Sequence, residues 1–166
     1  MMPLGLADSQ TLSLENLSSG GKSHEKLDGK IPESFNPASI LIVDDSIDCR
    51  MILRTAIEQE GFCCVEAADG MAALKVFHEM TIDFVITDFQ MPNMNGCEFL
   101  EVLSREAIRR PPAVMVTGNL ADSVRMRAMH AGALAVLSKP FEQKEILKIV
   151  REVVHRKQEA LPLLND

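Results

Sequence analysis

The chain has no tyrosine, no cysteine pair at CxxC spacing, and no apolar run approaching the ~18 to 20 residues that a membrane span requires. The last absence excludes a spanning helix. The opening residues, MMPLGLADSQ, offer neither a positive leader nor an apolar stretch behind one, so no secretory signal is visible. A cytoplasmic protein without membrane association is expected. The four cysteines, at 49, 63, 64 and 97, lack metal-site spacing, and Cys63 and Cys64 would point to opposite faces of a strand. Reduced, packed thiols are therefore expected. Basic residues are few, 17 Lys and Arg against 24 Asp and Glu, for a formal net charge of -7. Nucleic-acid binding works through clustered Lys and Arg that displace counterions, so no direct nucleic-acid partner is expected.

What is present is material for a core: 46% of the 166 residues are hydrophobic and 25% charged, enough for one domain with modest extras. Residues 1–37 are rich in Ser, Gly, Leu and Lys without a sustained period and end in IPESFNP, which predicts a disordered arm. Within it GGKS, at 20 to 23, ends like a phosphate-binding P-loop, but Asn16 stands where a glycine is needed and no strand precedes it. Leu12, Leu14 and Leu17 suit either a short docking face or a solvated tail. The ordered domain is expected over 38–157, with a short tail at 158–166.

Within that domain strand-like and helix-like patterns alternate. SILIV at 39–43, FCCVEA at 62–67, DFVIT at 83–87, AVMVT at 113–117 and ALAVL at 133–137 read as strands. Between them Ile47, Met51, Ile52, Ala56 and Ile57 recur at helical spacing, Asp69-Gly70 opens a second helix, and a third runs around 96–106. A fourth, about 121–130, stops at Gly132, and a fifth runs from Glu142 to about Lys157. Apolar strands alternating with helices predict an α/β domain, a doubly wound five-stranded parallel sheet flanked by five helices. In such sheets ligands sit beyond the carboxyl ends of the strands.

The residues at those ends carry the chemistry. Strand one ends in Asp44-Asp45, strand three in Asp88, strand four in Thr117 and strand five in Ser138-Lys139-Pro140. Each alone has an ordinary explanation: a helix cap for Asp44 or Asp45, turns at Asp88 and Thr117, a surface lysine at Lys139. Together they place three acids, a hydroxyl and an ammonium on one rim. Carboxylates so close repel by several kcal/mol per pair at roughly 4 Å and intermediate dielectric, so a cation is expected between them. Oxygen ligands favour Mg²⁺ or Mn²⁺. A metal store has no use for Lys139, whereas a phosphoryl group would be clamped between metal and ammonium, with Thr117 donating to it and Asp88 as nucleophile.

Four stretches, ILIVDDS, VITDFQMPNMNG, VMVTGN and AGALAVLSKPF, resemble the receiver domain of bacterial two-component response regulators, of the stand-alone, chemotaxis-regulator-like type. The resemblance covers residues 39 to about 157. It implies a flavodoxin-like fold with strand order 2-1-3-4-5, and phosphorylation of Asp88 by a histidine kinase or phosphotransfer protein. It further implies Mg²⁺ held by Asp45, Asp88 and the backbone carbonyl of Gln90, with Asp44 assisting through water. Thr117 would shift toward the phosphoryl oxygens, Lys139 would pair with them, and the Lys139-Pro140 bond would be cis.

One position departs from the family. Three residues before the lysine, where a Tyr or Phe ring usually swings, stands Val136. Signalling is therefore expected to rest on Thr117 and its loop, with a smaller change at strand five. Gln90 and Asn119, each two residues beyond a reacting group, are amides able to orient water for slow self-dephosphorylation. After the last helix only KQEALPLLND remains, which is short for an output domain, so the expected product is altered contact with a downstream protein. Helix four, with Arg125, Met126, Arg127 and Met129, is the candidate face, and with strand five and helix five it is the candidate homodimer surface. The alternative is that these methionines pack inward. His24, His78, His130 and His155 are expected to be surface residues. Two rival functions fit the residues less well. A haloacid-dehalogenase-type phosphatase needs a second Asp where Gln90 stands, and a phosphorylation-independent binding module needs no complete set of acids, hydroxyl and lysine.

Overall fold

The computed structural model describes residues 37–106 and 110–160. Residues 1–36, with the GGKS and leucine readings, and residues 107–109 and 161–166 lie outside the described residues. The elements alternate throughout: β1 (Ser39–Val43), α1 (Ile47–Gln59), β2 (Cys63–Ala67), α2 (Gly70–Glu79), β3 (Phe84–Asp88), α3 (Gly96–Glu106), β4 (Ala113–Thr117), α4 (Asp122–Ala131), β5 (Ala135–Ser138) and α5 (Gln143–Ala160). The last helix thus runs past Lys157, where the periodic pattern placed its end.

All neighbouring strands pair parallel, in the order β2-β1-β3-β4-β5. Because the sheet is covered on both sides, every residue of β3 and β4 is buried. Alternate side chains feed two cores. Leu41, Val43, Val85, Met115 and Val136 pack with α2, α3 and α4 through Ala73, Phe99, Leu103 and Ala128. Ile40, Ile42, Phe84, Ile86, Val114 and Val116 pack with α1 and α5 through Leu53, Ile57, Ile146 and Val150. Each such side chain contributes about 1.5–3 kcal/mol by leaving water.

The first three helices start at side-chain caps. The Ser46 hydroxyl accepts from the Cys49 N–H at 3.3 Å, and Asp69 accepts from Ala72 at 2.8 Å. Asn95 and Glu98 cap α3 reciprocally, the Glu98 N–H donating to Asn95 and the Asn95 N–H to Glu98. At the end of α4, Gly132 takes φ 98°, the left-handed turn that glycine accepts without steric cost.

Burial departs from the simplest reading of the pattern in two places. The apolar residues of α1 do not form one buried stripe: Leu53, Ala56 and Ile57 are buried, whereas Ile47, Met51 and Ile52 are exposed. Helical spacing identifies the helix but cannot say which of two adjoining apolar faces meets the sheet. The cysteines are unpaired, yet Cys63 is exposed rather than packed, because β2 is an edge strand. Among the described residues, no helix is long and apolar enough to cross a membrane.

Candidate functional site

Register sets the rim. Val43 lies opposite Thr87, and Asp88 opposite Val116, so β1 and β3 run out at one level with Asp44 next to Asp88. Thr117 lies opposite Ser138, which brings Lys139 to the same edge. The Lys139-Pro140 bond is cis.

Asp44 and Asp88 are both buried, at 1% and 5% exposure, and the Lys139 ammonium bridges them, 2.6 Å from Asp44 Oδ2 and 3.0 Å from Asp88 Oδ1. Their other oxygens accept backbone N–H groups: Asp44 Oδ1 from Ser46 at 2.9 Å, Asp88 Oδ2 from Gln90 at 3.2 Å. The turn role open to Asp88 is therefore present, and it coexists with the ion pair to Lys139. Ser46, rather than either aspartate, caps α1. The exposed Asp45 completes the cluster: Asp44, Asp45 and Asp88 each offer an oxygen within 4.8 Å of the others.

The charges do not balance. Burial pushes the Asp88 carboxyl above the usual carboxylate range, and the Asp44 carboxylate adds to it, against the opposing pull of Lys139. Burial acts to lower the Lys139 value, but hydrogen bonds to Asp44 and Asp88 prevail and hold its ammonium above the ordinary lysine value. Three carboxylates against one ammonium leave an excess of negative charge, and an all-oxygen donor set suits a hard divalent cation. The residues present fit Mg²⁺.

Thr117 lies at the edge of this group, fully buried, with its hydroxyl turned to its own loop. It accepts from the Asn119 N–H at 3.1 Å and donates to the Asn119 carbonyl at 3.3 Å. The Asn119 side-chain oxygen is itself engaged by the Ala121 N–H at 2.9 Å, which leaves its amide nitrogen for other contacts. The Gln90 side chain is exposed. Val136 is buried in the core beneath α4. Met126 and Met129 are exposed, so the inward-packing alternative fails. His78, His130 and His155 are exposed; His24 lies outside the described residues.

Three contributors escaped the sequence reading. A Cβ on Gly96 would sit 2.1 Å from the Asp88 carbonyl oxygen, so only glycine lets the chain pass behind the putting-out of Asp88 from its strand. Phe89, next to Asp88, lies under the Arg127 guanidinium of α4, 5.9 Å from the ring centre. Arg50 donates to the Asp44 carbonyl at 2.6 Å. An Asn-Gly pair such as that at 95–96 is a turn signal in sequence, but nothing local signals the other two.

A parallel doubly wound sheet with an acid cluster and a lysine on its carboxyl rim defines a class of phosphoacceptor domains, and comparison with known proteins agrees. The model of the response regulator receiver domain matches residues 40–151, and the chain belongs to that family. It is 34% identical over 118 residues to the phosphate regulon transcriptional regulatory protein PhoB of Klebsiella pneumoniae, covering 70% of this chain and 52% of that one. It is 30% identical over 138 residues to the alkaline phosphatase synthesis transcriptional regulatory protein SphR of Synechococcus elongatus, covering 77% and 53%. The chain thus spans about half the length of these curated relatives. Among solved structures, the chemotaxis response regulator CheY4 of Vibrio cholerae is 30% identical with a TM-score of 0.66, covering 70% of this chain and 98% of that one. A CheY-like receiver domain protein from Methanospirillum hungatei is 26% identical with a TM-score of 0.69, covering 75% and 98%. Receiver domains are phosphoacceptor signalling domains that bind Mg²⁺ at an acidic pocket and interact with histidine kinases or phosphotransfer proteins.

Proposed function

We propose that this chain accepts a phosphoryl group on Asp88 from the phosphohistidine of a histidine kinase or phosphotransfer protein. The observation that carries this reading is the Lys139 ammonium bridging Asp44 and Asp88 while Asp45 stands within reach of both. An Asp88 oxygen forms the new P–O bond as the donor's P–N bond breaks; the imidazole nitrogen keeps the electron pair and takes up a proton. Mg²⁺, or Mn²⁺ in its place, would be held by Asp45, Asp88 and the Gln90 carbonyl, with Asp44 acting through water, and supplies charge neutralisation for the phosphoryl oxygens. Lys139, already paired with Asp88 Oδ1, neutralises the group from the other side.

Asp88 is buried, so the donor must approach over the open rim. Beside it α1 exposes Ile47 and Met51, and a groove of about 490 Å³ lies between Cys49, Ile52 and the Lys139-Pro140-Phe141 segment. An apolar face continuous with the rim suits docking of the phosphodonor.

On phosphorylation Thr117 gives up its two bonds to Asn119 and donates to the phosphoryl group, which drags the loop ahead of α4. The exposed Met126 and Met129 carry the change to a downstream protein, and α4, β5 and α5 together are where a second copy would pair. Gln90 and Asn119 flank the water path for slow self-dephosphorylation. With Val136 in place of a ring, a phosphoryl mimic should shift backbone resonances most over residues 117–121 and α4; a larger rearrangement around Val136 would refute this route.

Incubation with acetyl phosphate and Mg²⁺ tests the central reading. Wild type should gain the mass of one phosphoryl group, and Asp88→Asn should gain none. Failure of wild type to gain it from either acetyl phosphate or a donor kinase would sink the proposal.

A further inference from the structure

Asp45 is exposed, and among the described residues it makes no hydrogen bond or ion pair, so no side-chain partner orients its carboxylate. Its direction is set by the backbone that carries it. The Asp44 carbonyl is coplanar with the nitrogen and Cα of Asp45, so whatever fixes that oxygen fixes the plane from which the Asp45 side chain departs. The oxygen accepts from Arg50 Nη1 at 2.6 Å, while the Asp44 N–H donates to the Ala67 carbonyl at 3.1 Å. Arg50 is held in turn: its Nε donates to Glu66 Oε2 at 3.0 Å, and the other Glu66 oxygen accepts from Arg54 at 3.0 Å. The Arg50 side chain is only 13% exposed.

Three elements are thereby tied through one guanidinium: α1, which carries Arg50, the end of β1, and β2, where Glu66 lies opposite Ile42. The planar fork of arginine makes two directed bonds at once, which an ammonium cannot reproduce. Glu66 also neutralises the guanidinium, so the clamp adds no net charge to repel a cation.

We infer that Arg50, held by Glu66, is a positioning residue for the Asp44-Asp45 metal ligands. This rests on the Mg²⁺ site proposed above. Titration calorimetry of the full chain with Mg²⁺ tests it, using Arg50→Gln, Arg50→Lys and Arg54→Gln. Arg54 touches Glu66 but not Asp44, so Arg54→Gln reports the cost of loosening the network alone. Arg50→Gln should bind Mg²⁺ about tenfold more weakly than wild type, the scale typical of residues that orient metal ligands. Arg50→Lys should fall between, and Arg54→Gln should match wild type. Phosphorylation of Arg50→Gln by acetyl phosphate should be slow at limiting Mg²⁺ and recover at saturating Mg²⁺, a split that general loss of structure would not give.

Equal Mg²⁺ affinity in Arg50→Gln and Arg54→Gln, or a deficit that persists at saturating Mg²⁺, would overturn the inference. Should Arg50→Gln not fold, the same comparison between Arg50→Lys and Arg54→Gln decides. Wild type that binds no Mg²⁺ would remove the proposed metal site itself, a result separate from equal binding by the variants.

Discussion

The acidic rim and helix α4 lie next to each other and are built on opposite terms. At the rim, Asp44 and Asp88 are buried and tied at more than one point, each to Lys139 and to a backbone N–H, and only Asp45 stands exposed. At α4 the helix begins at Ala121 with no side-chain cap, and Met126 and Met129 face outward. Its far end is secured by the left-handed Gly132 and by Arg110, which donates to the carbonyls of Ala131 and Gly132. Phosphoryl chemistry needs atoms held in place, and stored repulsion makes the rim responsive to a cation. A segment that must move on a signal is drawn from the less stable part of a fold. Thr117 and its loop join the two regions.

The contrast can be broken hardest from behind the rim. Gly96→Ala should destabilise the fold by about 3 kcal/mol, since the added carbon meets the Asp88 backbone; a denaturant midpoint unchanged from wild type would show that the loop gives way freely. Asp45→Asn should weaken Mg²⁺ binding by roughly a hundredfold, the upper end of the ~10- to 100-fold range seen for residues that merely orient ligands, at little cost to the metal-free fold. Comparable melting of the two proteins in EDTA checks the second half of that statement.

Asp88→Asn should stabilise the metal-free protein. Because burial and Asp44 raise the Asp88 value in the fold, the wild-type carboxyl contributes most at pH below its unfolded value of about 3.9, and that contribution is lost as pH rises through the folded value. The advantage of the asparagine should therefore appear across that window and persist to neutral pH, at about 1 kcal/mol or ~3 °C in melting temperature. A variant that melts below wild type in EDTA at neutral pH would contradict the strained-rim picture. The smallest effects belong to α4. Arg110→Ala should cost under about 1 kcal/mol, exposed hydrogen bonds being worth little, yet it should speed hydrogen exchange in the last turn of α4 and leave the rim amides untouched.

Much of this was legible beforehand. Asp44, Asp45, Asp88 and Lys139 stood out because parallel strands collect their last residues on one edge, and four of the five strand runs, all but that of β2, end at polar residues. The cap at Asp69 and the stop at Gly132 followed from local chemistry. The buried side of α1 did not, because Ile47, Met51 and Ile52 are as apolar as Leu53 and Ile57; their exposure follows from where the helix lies against the sheet. Cys63 was misplaced for a similar reason, since an alternating pattern does not mark an edge strand. The direction of the Thr117 hydroxyl depends on a loop conformation that composition leaves open.

By itself the sequence determined the alternation of strands and helices, the acids and lysine at the strand ends, and the turns that release them. Spacing along a chain records which residues share an element and a face. Only the tertiary structure decided that Lys139 meets Asp44 across 95 positions, and that Arg50 reaches back to the carbonyl beside Asp45 while gripping Glu66 on another strand. Those pairings depend on the packing of α1 against the sheet and on the place of β5 within it, an order that no local period encodes.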